Sequence, residues 1–532
     1  TTTPAAGATP APTPTLGPPP PGALTLDEVN QAIGDFAIAT QLVQQGVAQR
    51  AQFNDNDLKK IGLSSLIPTV HKLDAYLPKL PQYTAAAQGL VNNLPTLLGF
   101  TKTQHYLLFD MDSDELRATG GFQGNFGVLT VTDGRLIGGV KLHDTTATLD
   151  CPNSTCPYRP VPQQFAAWFN VDPTQFGMRD ANLDPDFPTA AQADEALYTA
   201  ESGNSVDGVI AITPALIEQL LTLTGPIAVT PPGQQQAVTV TAQNLQDEIH
   251  FFHITNRKGS GTINSTLQTS QTKAIDSLLG SAVLKAVGHL SATQQKGLSK
   301  VMENALFSHD LQIYFNNAPA EQALATFKLA GAVQSPPDTD TLFVVDTNIG
   351  ATYANQDVTE QISDTITLDA KGDASHDLKI TYGYPVVNHL YSYEWSAWYY
   401  TDFLRVIIPN NATNAVMQSA CPSPIATTEA NHQVLSCKFI LVRQDGYTNT
   451  VTYEFTWTTP AVATQSSSGW EYKLLTQKQA GSHATIAITI VLPSGAHFTV
   501  KPTSPLRATS ATQASATTAL SKDLDFIVQY TL

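Results

Sequence analysis

Two arginines beside acidic residues are the first candidates for chemistry in this 532-residue sequence. Arg117 lies in a polar, glycine-rich stretch, and Arg179 is followed directly by Asp180. A guanidinium group can donate two parallel hydrogen bonds to phosphate oxygens. A neighbouring carboxylate can accept a proton or hold Mg²⁺. Arg117, Arg179 and Asp180 are therefore the catalytic residues that we expect if the chain is a phosphotransferase.

Carboxylates outnumber arginines around both motifs, so a pocket there would repel a pyrophosphate unless a metal filled it. Mg²⁺ is expected only for a phosphotransferase, and otherwise no cofactor is predicted. Asp184 and Asp186 could also hold calcium, although the alternating acids and closing glutamate of an EF-hand are missing. The candidate metal ligands or bases are Asp112, Asp114, Glu115, Asp180, Asp184 and Asp186.

A structural interpretation of the same residues stays open. Asp184 and Asp186 precede a predicted helix that begins near Thr189, and aspartates commonly cap turns and helix N-termini. Arg117 could likewise pair with Glu115 and brace the segment between two strands. On this interpretation both motifs are scaffold.

Hydrolytic chemistry has weaker support. The sequence contains no Gly-x-Ser-x-Gly elbow, and its histidines are scattered without a companion carboxylate motif. His250 and His253 flank two phenylalanines, and we interpret them as helix-face residues rather than as ligands. No hydrolase is predicted.

The four cysteines form two local pairs in turn-rich segments. Cys151 lies near Cys156, and Cys421 lies near Cys437. We predict two short-loop disulfides formed in an oxidising compartment. A zinc site is less favoured, because neither pair has the two-residue spacing of a zinc knuckle.

Composition limits the partners of this chain. Only 14% of residues are charged, and the net charge is −17. Nucleic acid is not expected as a partner, because no basic field exists to hold a phosphate backbone. No apolar run approaches the roughly 18 to 20 residues that cross a bilayer. The first residue is Thr1, so we expect a membrane link only through a removed N-terminal signal or anchor.

The first arginine motif lies between two predicted strands. Alternating apolar residues indicate strands at 106–109 and 126–131, and Asp133-Gly134 predicts a tight turn into a third run at 136–140. Further on, predicted strands and helices alternate. This alternation indicates an α/β domain over residues 101–335.

The C-terminal region has a different period. From residue 358 apolar residues alternate almost throughout, and Gly, Pro, Asn and Asp separate the runs. Such a pattern predicts an Ig-like β-sandwich over residues 336–532. The expected fold class is multidomain, with α/β and all-β parts.

The N-terminal region contains no predicted strand. Residues 24–100 follow a helical period that begins after Thr25, a predicted N-cap, and prolines predict breaks into two to four helices of a helical subdomain. Residues 1–23 form a Pro/Thr-rich extended arm that is too polar to build a core. The arm residues that we expect to contact a neighbouring copy during assembly are Pro18, Pro19, Pro20 and Pro21.

Several motifs resemble a known family. The runs YLLFDMDSDELRATGGFQGNFGVLTVTDGRL, MRDANLDPDFPTAAQADEALY and VDGVIAITPALIEQLLTLTGPIAV look like the bacterial surface proteins of DUF4012, and the resemblance spans residues 24–532. The central domain of that family is similar to the LytR-CpsA-Psr enzymes, which transfer glycopolymers from a polyprenyl pyrophosphate lipid to the cell wall. Arg179-Asp180 lies where those enzymes have an Arg-Asp pair. The resemblance implies a shared fold more firmly than a shared reaction.

Two hypotheses follow. The favoured one is an exported, extracellular or cell-surface structural protein that self-assembles into a filament, sheath or layer through its arm and its β-sandwich. Its expected partners are copies of itself, with cell-envelope glycans as further candidates. The alternative is a Mg²⁺-dependent, LytR-CpsA-Psr-like phosphotransferase that attaches polyprenyl-pyrophosphate-linked glycopolymers to the envelope. It predicts a deep apolar cleft beside the arginines.

Overall fold

The chain is divided into two compact units. The computed structural model describes residues 24–74, 77–152, 159–162, 165, 176–231, 235–255, 274–350, 352–385, 399–418, 421, 424–443 and 448–532. The smaller unit is the described part of Thr1–Gln104 together with Thr130–Ile137, and the larger is His105–Leu129 with Gly138–Leu532. The predicted assembly residues Pro18, Pro19, Pro20 and Pro21 lie outside the described residues.

Ten α-helices lie in the described part of the chain. They are α1 (Leu26–Arg50), α2 (Asp55–Lys60), α3 (Ile67–Asp74), α4 (Leu80–Leu97), α5 (Phe187–Ser202), α6 (Pro214–Thr224), α7 (Leu245–Thr255), α8 (Ala274–Val287), α9 (Ala292–Phe307) and α10 (Ala318–Thr326). None of these described helices has the length and apolar character needed to span a membrane.

The smaller unit contains α1 to α4. Thr25 caps α1 as predicted, because its side chain accepts from the Glu28 N–H while the Glu28 carboxylate accepts from the Thr25 N–H at 2.8 Å. Breaks were predicted near the prolines, and α4, which contains Pro95, ends soon after it at Leu97. Proline there removes one hydrogen bond close to the helix end, where the loss is small.

Eight strands precede the C-terminal region among the residues that the structure describes. They are β1 (Gln104–Asp112), β2 (Phe122–Thr132), β3 (Arg135–Ile137), β4 (His143–Asp144), β5 (Gly208–Ile212), β6 (Ile227–Val229), β7 (Val238–Val240) and β8 (Leu311–Phe315). Asp133 and Gly134, both at positive φ, form the predicted tight turn between β2 and β3.

Helices cover both faces of the sheet in the larger unit. Strands β2, β1, β5 and β8 are neighbours in that order, with β1 parallel to β5 and β5 antiparallel to β8. Val209 and Ala211 of β5 belong to a core cluster with α5, whereas Ile210 and Ile212 pack on a second cluster with α6. The alternation of side chains along β5 therefore gives the α/β arrangement.

Two larger sheets follow. Their strands are β9 (Asp340–Val345), β10 (Thr359–Leu368), β11 (Ala374–Tyr384), β12 (Tyr399–Ile408), β13 (Thr413–Met417), β14 (Pro424–Glu429), β15 (His432–Val442), β16 (Asn449–Thr459), β17 (Thr464–Ser466), β18 (Gly469–Gln477), β19 (Thr485–Val491), β20 (His497–Phe498), β21 (Arg507–Ala508), β22 (Gln513–Ala519) and β23 (Leu524–Thr531).

The two sheets share one hydrophobic core. One sheet has the order β13-β16-β11-β10-β19-β22-β21, and the other has β14-β15-β12-β9-β18-β23-β20 with β17 beside β18. Ile362 and Ile380 from the first sheet and Leu404 and Leu474 from the second belong to the same buried cluster. Buried residues alternate with more exposed ones along strands such as β10 and β19, so face-to-face packing of the two sheets follows from the sequence period there. Helices plus several sheets are thus confirmed, and the Ig-like assignment stays a prediction.

The predicted disulfide between Cys421 and Cys437 is present, with the Cys437 side chain buried on β15. Cys151 is also disulfide-bonded. Cys156 lies outside the described residues.

Candidate functional site

A polar cavity of about 580 Å³ lies within the larger unit. The segment after β1, helix α6, strands β10 to β12 and the loop between β18 and β19 contribute its walls. Its lining includes four carboxyl groups, from Asp114, Glu218, Asp346 and Glu360. No lysine or arginine is among the described lining residues. The cavity is therefore acidic, and an anion would be repelled from it.

The turn after β1 places Asp114 at this cavity. Asp112 ends β1, and its side chain accepts from the Asp114 N–H at 3.2 Å, which closes a short 3₁₀ turn. The Ser113 hydroxyl donates to the Gly120 carbonyl at 2.7 Å, which ties the turn to the start of β2. Gly121 approaches so closely that an added Cβ would lie 2.5 Å from the Asp112 carbonyl. Only glycine fits there.

Helix α7 brings His250 against the same turn. The side chain is 5% exposed, and its Nε2 lies 2.9 Å from Asp114 Oδ2. Burial alone would lower the pKa of His250, but the carboxylates of Asp114 and Asp112 outweigh it and raise this pKa to about 9. The imidazole is thus protonated at neutral pH when nothing else neutralises the carboxylates.

Asp112, Asp114 and His250 could hold a divalent cation. One ligand atom from each residue lies within 4.8 Å of the others, and the donor set of two carboxylates and an imidazole is suited to such an ion. A bound cation would displace the imidazole proton, because a ligating histidine must be neutral. His250 lies on a helix, as predicted, and the face of α7 that carries it lies beside both aspartates.

A second acidic group forms the opposite wall. The Tyr382 hydroxyl donates to Asp346 Oδ1 at 2.5 Å, and the Thr347 N–H donates to Asp402 Oδ1 at 2.8 Å. Burial raises the pKa of Asp346 to about 6 and holds the pKa values of Glu360 and Asp402 well above the ordinary range. These carboxyl groups therefore share protons rather than all carrying charge.

The two predicted phosphate-binding arginines form internal ion pairs, in which Arg117 is buried and Arg179 is partly buried. Arg117 is 3% exposed; its guanidinium donates to the backbone carbonyls of Glu115, Leu116 and Asn348 and lies 3.8 Å from Asp180. Arg179 lies 3.3 Å from Asp180 and 3.1 Å from Asp150. The structure thus brings Arg117, Arg179 and Asp180 together, but neither arginine lines the acidic cavity.

Burial governs the acids of this ion-pair group. Desolvation raises the pKa of Asp180 and of Asp150. Arg179 lowers both pKa values in part, and Arg117 also lowers that of Asp180. The guanidinium groups therefore favour the charged form of carboxylates whose burial disfavours it.

Asp184 and Asp186 act as local hydrogen-bond acceptors. Asp184 Oδ1 accepts from the Asp186 N–H at 2.9 Å, and Asp186 Oδ2 accepts from the Thr189 N–H at 3.2 Å as the N-cap of α5. Asp186 Oδ1 also accepts from the Val333 N–H at 2.9 Å. Their geometry is that of the turn and cap interpretation.

Comparison with known proteins identifies the central region. Residues 102–250 match the family model described as "Protein of unknown function (DUF4012)". The chain therefore carries a DUF4012 region, which confirms the predicted resemblance over that segment. No curated protein matches the sequence.

Several solved structures are similar to part of the chain. The protein gbs0355 of Streptococcus agalactiae is 12% identical, with a TM-score of 0.28, over 45% of this chain and 76% of that one. TagV of B. subtilis is 11% identical, with a TM-score of 0.26, over 43% and 80%. The transcriptional regulator EF0465 of Enterococcus faecalis is 9% identical, with a TM-score of 0.24, over 46% and 78%. TM-scores this low support no statement about the fold or the activity of this chain.

Proposed function

We propose that this protein is an exported structural protein of the cell surface, in which the central α/β domain is a scaffold and not a phosphotransferase. One observation carries the proposal. Arg117 and Arg179 are the groups that should bind a pyrophosphate. Their guanidinium groups are already paired with Asp180, Asp150 and backbone carbonyls. A guanidinium already paired in a buried site is a poor phosphate receptor, because releasing it leaves a buried carboxylate uncompensated.

One other feature supports a surface location. The Cys421–Cys437 disulfide lies within the β-sandwich, and such bonds persist in oxidising compartments.

We propose that assembly into a filament, sheath or layer uses the arm over residues 1–23 and an Ig-like sandwich over 336–532. The helical subdomain over 24–100 and the LytR-CpsA-Psr-like domain over 101–335 would lie between these two regions in each copy. Copies of the chain and cell-envelope glycans are the proposed partners.

The transferase remains the second candidate because of the Asp112, Asp114 and His250 group. A Mg²⁺ ion held there could neutralise the acidic cavity and so allow a pyrophosphate to approach. The arginines would then contribute only through their ion pairs.

Electron microscopy tests the structural role. The full chain should form regular filaments or sheets, and deletion of residues 1–22 should abolish them while circular dichroism stays unchanged. A variant with the same residues replaced by a Gly/Ser linker of equal length is the matched control for chain length. Normal polymers from both variants would refute the arm mechanism, and discrete monomers from the full chain would refute self-assembly.

A lipid experiment separates the two candidates. The full chain is mixed with Mg²⁺ and a polyprenyl-pyrophosphate-linked glycan, and binding and transfer are measured. The scaffold proposal predicts neither. Binding that disappears in Asp114→Asn but persists in Lys300→Gln, an exposed control, would replace it with the transferase.

A further inference from the structure

A serine and a histidine meet outside the acidic cavity. Ser335 lies in the loop between α10 and β9, and His432 begins β15. The Ser335 Oγ is 2.8 Å from His432 Nε2, although the two residues are 97 positions apart in the sequence. This distance is a normal hydrogen bond between a nucleophile and a general base.

The surroundings of His432 select its tautomer. Its Nδ1 lies 2.8 Å from the Ala430 carbonyl, which can only accept, and because this is the shorter of its two carbonyl contacts we assign the ring proton to Nδ1. Nε2 of the neutral ring is then an acceptor, and the Ser335 hydroxyl donates to it. The Gln334 carbonyl, 3.2 Å from Nε2, can accept the new N–H once the serine proton has been transferred. The two carbonyls thus take the orienting and stabilising role that a carboxylate has in a catalytic triad.

Both partners are held firmly. The Ala430-Asn431 turn, with both residues at positive φ, joins β14 to β15 and leaves His432 2% exposed. On the serine side, the Val333 N–H donates to Asp186 at 2.9 Å, and the Gln334 N–H donates to Gln477 at 2.8 Å. A nucleophile and base fixed by such contacts are already in reactive geometry.

Ser335 opens onto a cavity of about 430 Å³. Asn410, Asn411 and Asn431 line the same cavity, and their side-chain amides are of the kind that stabilise an oxyanion. The described lining contains one carboxylate, Asp338, and no lysine or arginine. Its hydroxyl and amide groups suit an uncharged, hydrogen-bonding substrate, and its volume suits a small one.

We propose that Ser335 and His432 form the catalytic dyad of an esterase that removes small acyl groups from the hydroxyls of a polyol such as a sugar. Ser335 Oγ bonds to the acyl carbon while His432 Nε2 takes its proton. The ester bond breaks, and the alcohol leaves with that proton, so that the acyl group stays on Ser335. Water then attacks the acyl carbon and gives a proton to His432, which returns it to Ser335 as the carboxylic acid departs.

The first test needs no variant. The full chain is treated with a fluorophosphonate probe, which reacts with activated serine hydroxyls, and the labelled peptide is identified by mass spectrometry. Labelling at Ser335 supports the dyad. Labelling elsewhere, or none, overturns it.

The second test measures turnover of p-nitrophenyl acetate by the full chain. Ser335→Ala should reduce the rate to the uncatalysed background, and His432→Gln should lower it by at least about 100-fold, the low end of what a general base contributes. Ser521→Ala, a change of an exposed serine beside a different cavity, should leave the rate unchanged and controls for surface reactivity. Equal rates in wild type and Ser335→Ala would overturn the proposal.

Discussion

A buried histidine in the β-sandwich gives the sharpest prediction of how stability depends on pH. His376 on β11 lies between Asp364, 2.7 Å from its Nδ1, and Asp340, 2.9 Å from its Nε2, and its ring stacks on Trp457. The His376, Asp364 and Asp340 side chains are fully buried. Burial alone would lower the pKa of His376, but the two carboxylates outweigh it and raise this pKa to about 10.

The sign of the effect follows from the raised pKa. A histidine in the unfolded chain titrates near pH 6.5, so the folded state holds a proton that the unfolded state has lost throughout the range from about 6.5 to 10. The stabilisation is therefore complete below pH 6.5, declines by about 1.4 kcal/mol for each pH unit above it, and is gone above pH 10. Between pH 7 and pH 9 the loss is roughly 3 kcal/mol.

Urea unfolding at pH 6, 7, 8, 9 and 10 measures this loss. The matched control is the double variant His376→Gln/Asp364→Asn, which keeps hydrogen-bonding groups but removes the imidazole and one carboxylate. Other groups titrate equally in both proteins, so the difference in free energy of unfolding isolates the network. That difference should shrink steadily from pH 7 to pH 10. A difference that stays constant within 0.5 kcal/mol, taken as roughly the experimental error, would show that His376 is not charged in the folded state.

Three further substitutions test the packing. Replacing Cys421 and Cys437 by serine should lower the free energy of unfolding by about 3 kcal/mol, because the disulfide closes a loop of 16 residues. A loss below about 1 kcal/mol in urea unfolding would contradict this expectation. Arg179→Gln should cost roughly 3 to 5 kcal/mol in the same assay, since it leaves buried carboxylates unpaired, whereas the control Lys300→Gln should cost less than about 1 kcal/mol. Gly121→Ala should destabilise the protein by about 1 to 3 kcal/mol, because the added Cβ clashes with Asp112, and this should be measured as a lower Tm. The control Gly280→Ala should not lower the Tm, since its added Cβ meets only ordinary contacts.

Local patterns in the sequence predicted the elements well. The period of two after residue 358 matches the paired sheets, and the Thr25 cap and the Asp133-Gly134 turn form as expected. These features depend on neighbours a few positions apart, so composition and spacing are enough to find them. The predicted third run, at 136–140, is longer than the strand that forms. β3 ends at Ile137, and the residues after it do not pair with β2.

The sites depend on contacts that no local pattern encodes. His250 reaches Asp114 only because α7 packs beside the turn after β1, and Asp346 reaches the same cavity from the segment after β9. Likewise, Ser335 and His432 carry no motif, since the loop and the hairpin that join them are distant in sequence. The pairing of Arg117 with Asp180 also depends on the tertiary structure.

The central strand of each of the two larger sheets pairs with a strand that lies far along the chain, and this affects how the protein folds during its synthesis. β9 lies between β12 and β18, and β10 lies between β11 and β19, with β9–β18 and β10–β19 as parallel pairs. A ribosome produces β9 and β10 long before their parallel partners β18 and β19, so each central strand keeps one unpaired edge while the chain grows. Such edges invite pairing with other nascent chains. Because these non-local pairs must form last, the chain should reach its folded state slowly and only after its C-terminal strands have emerged.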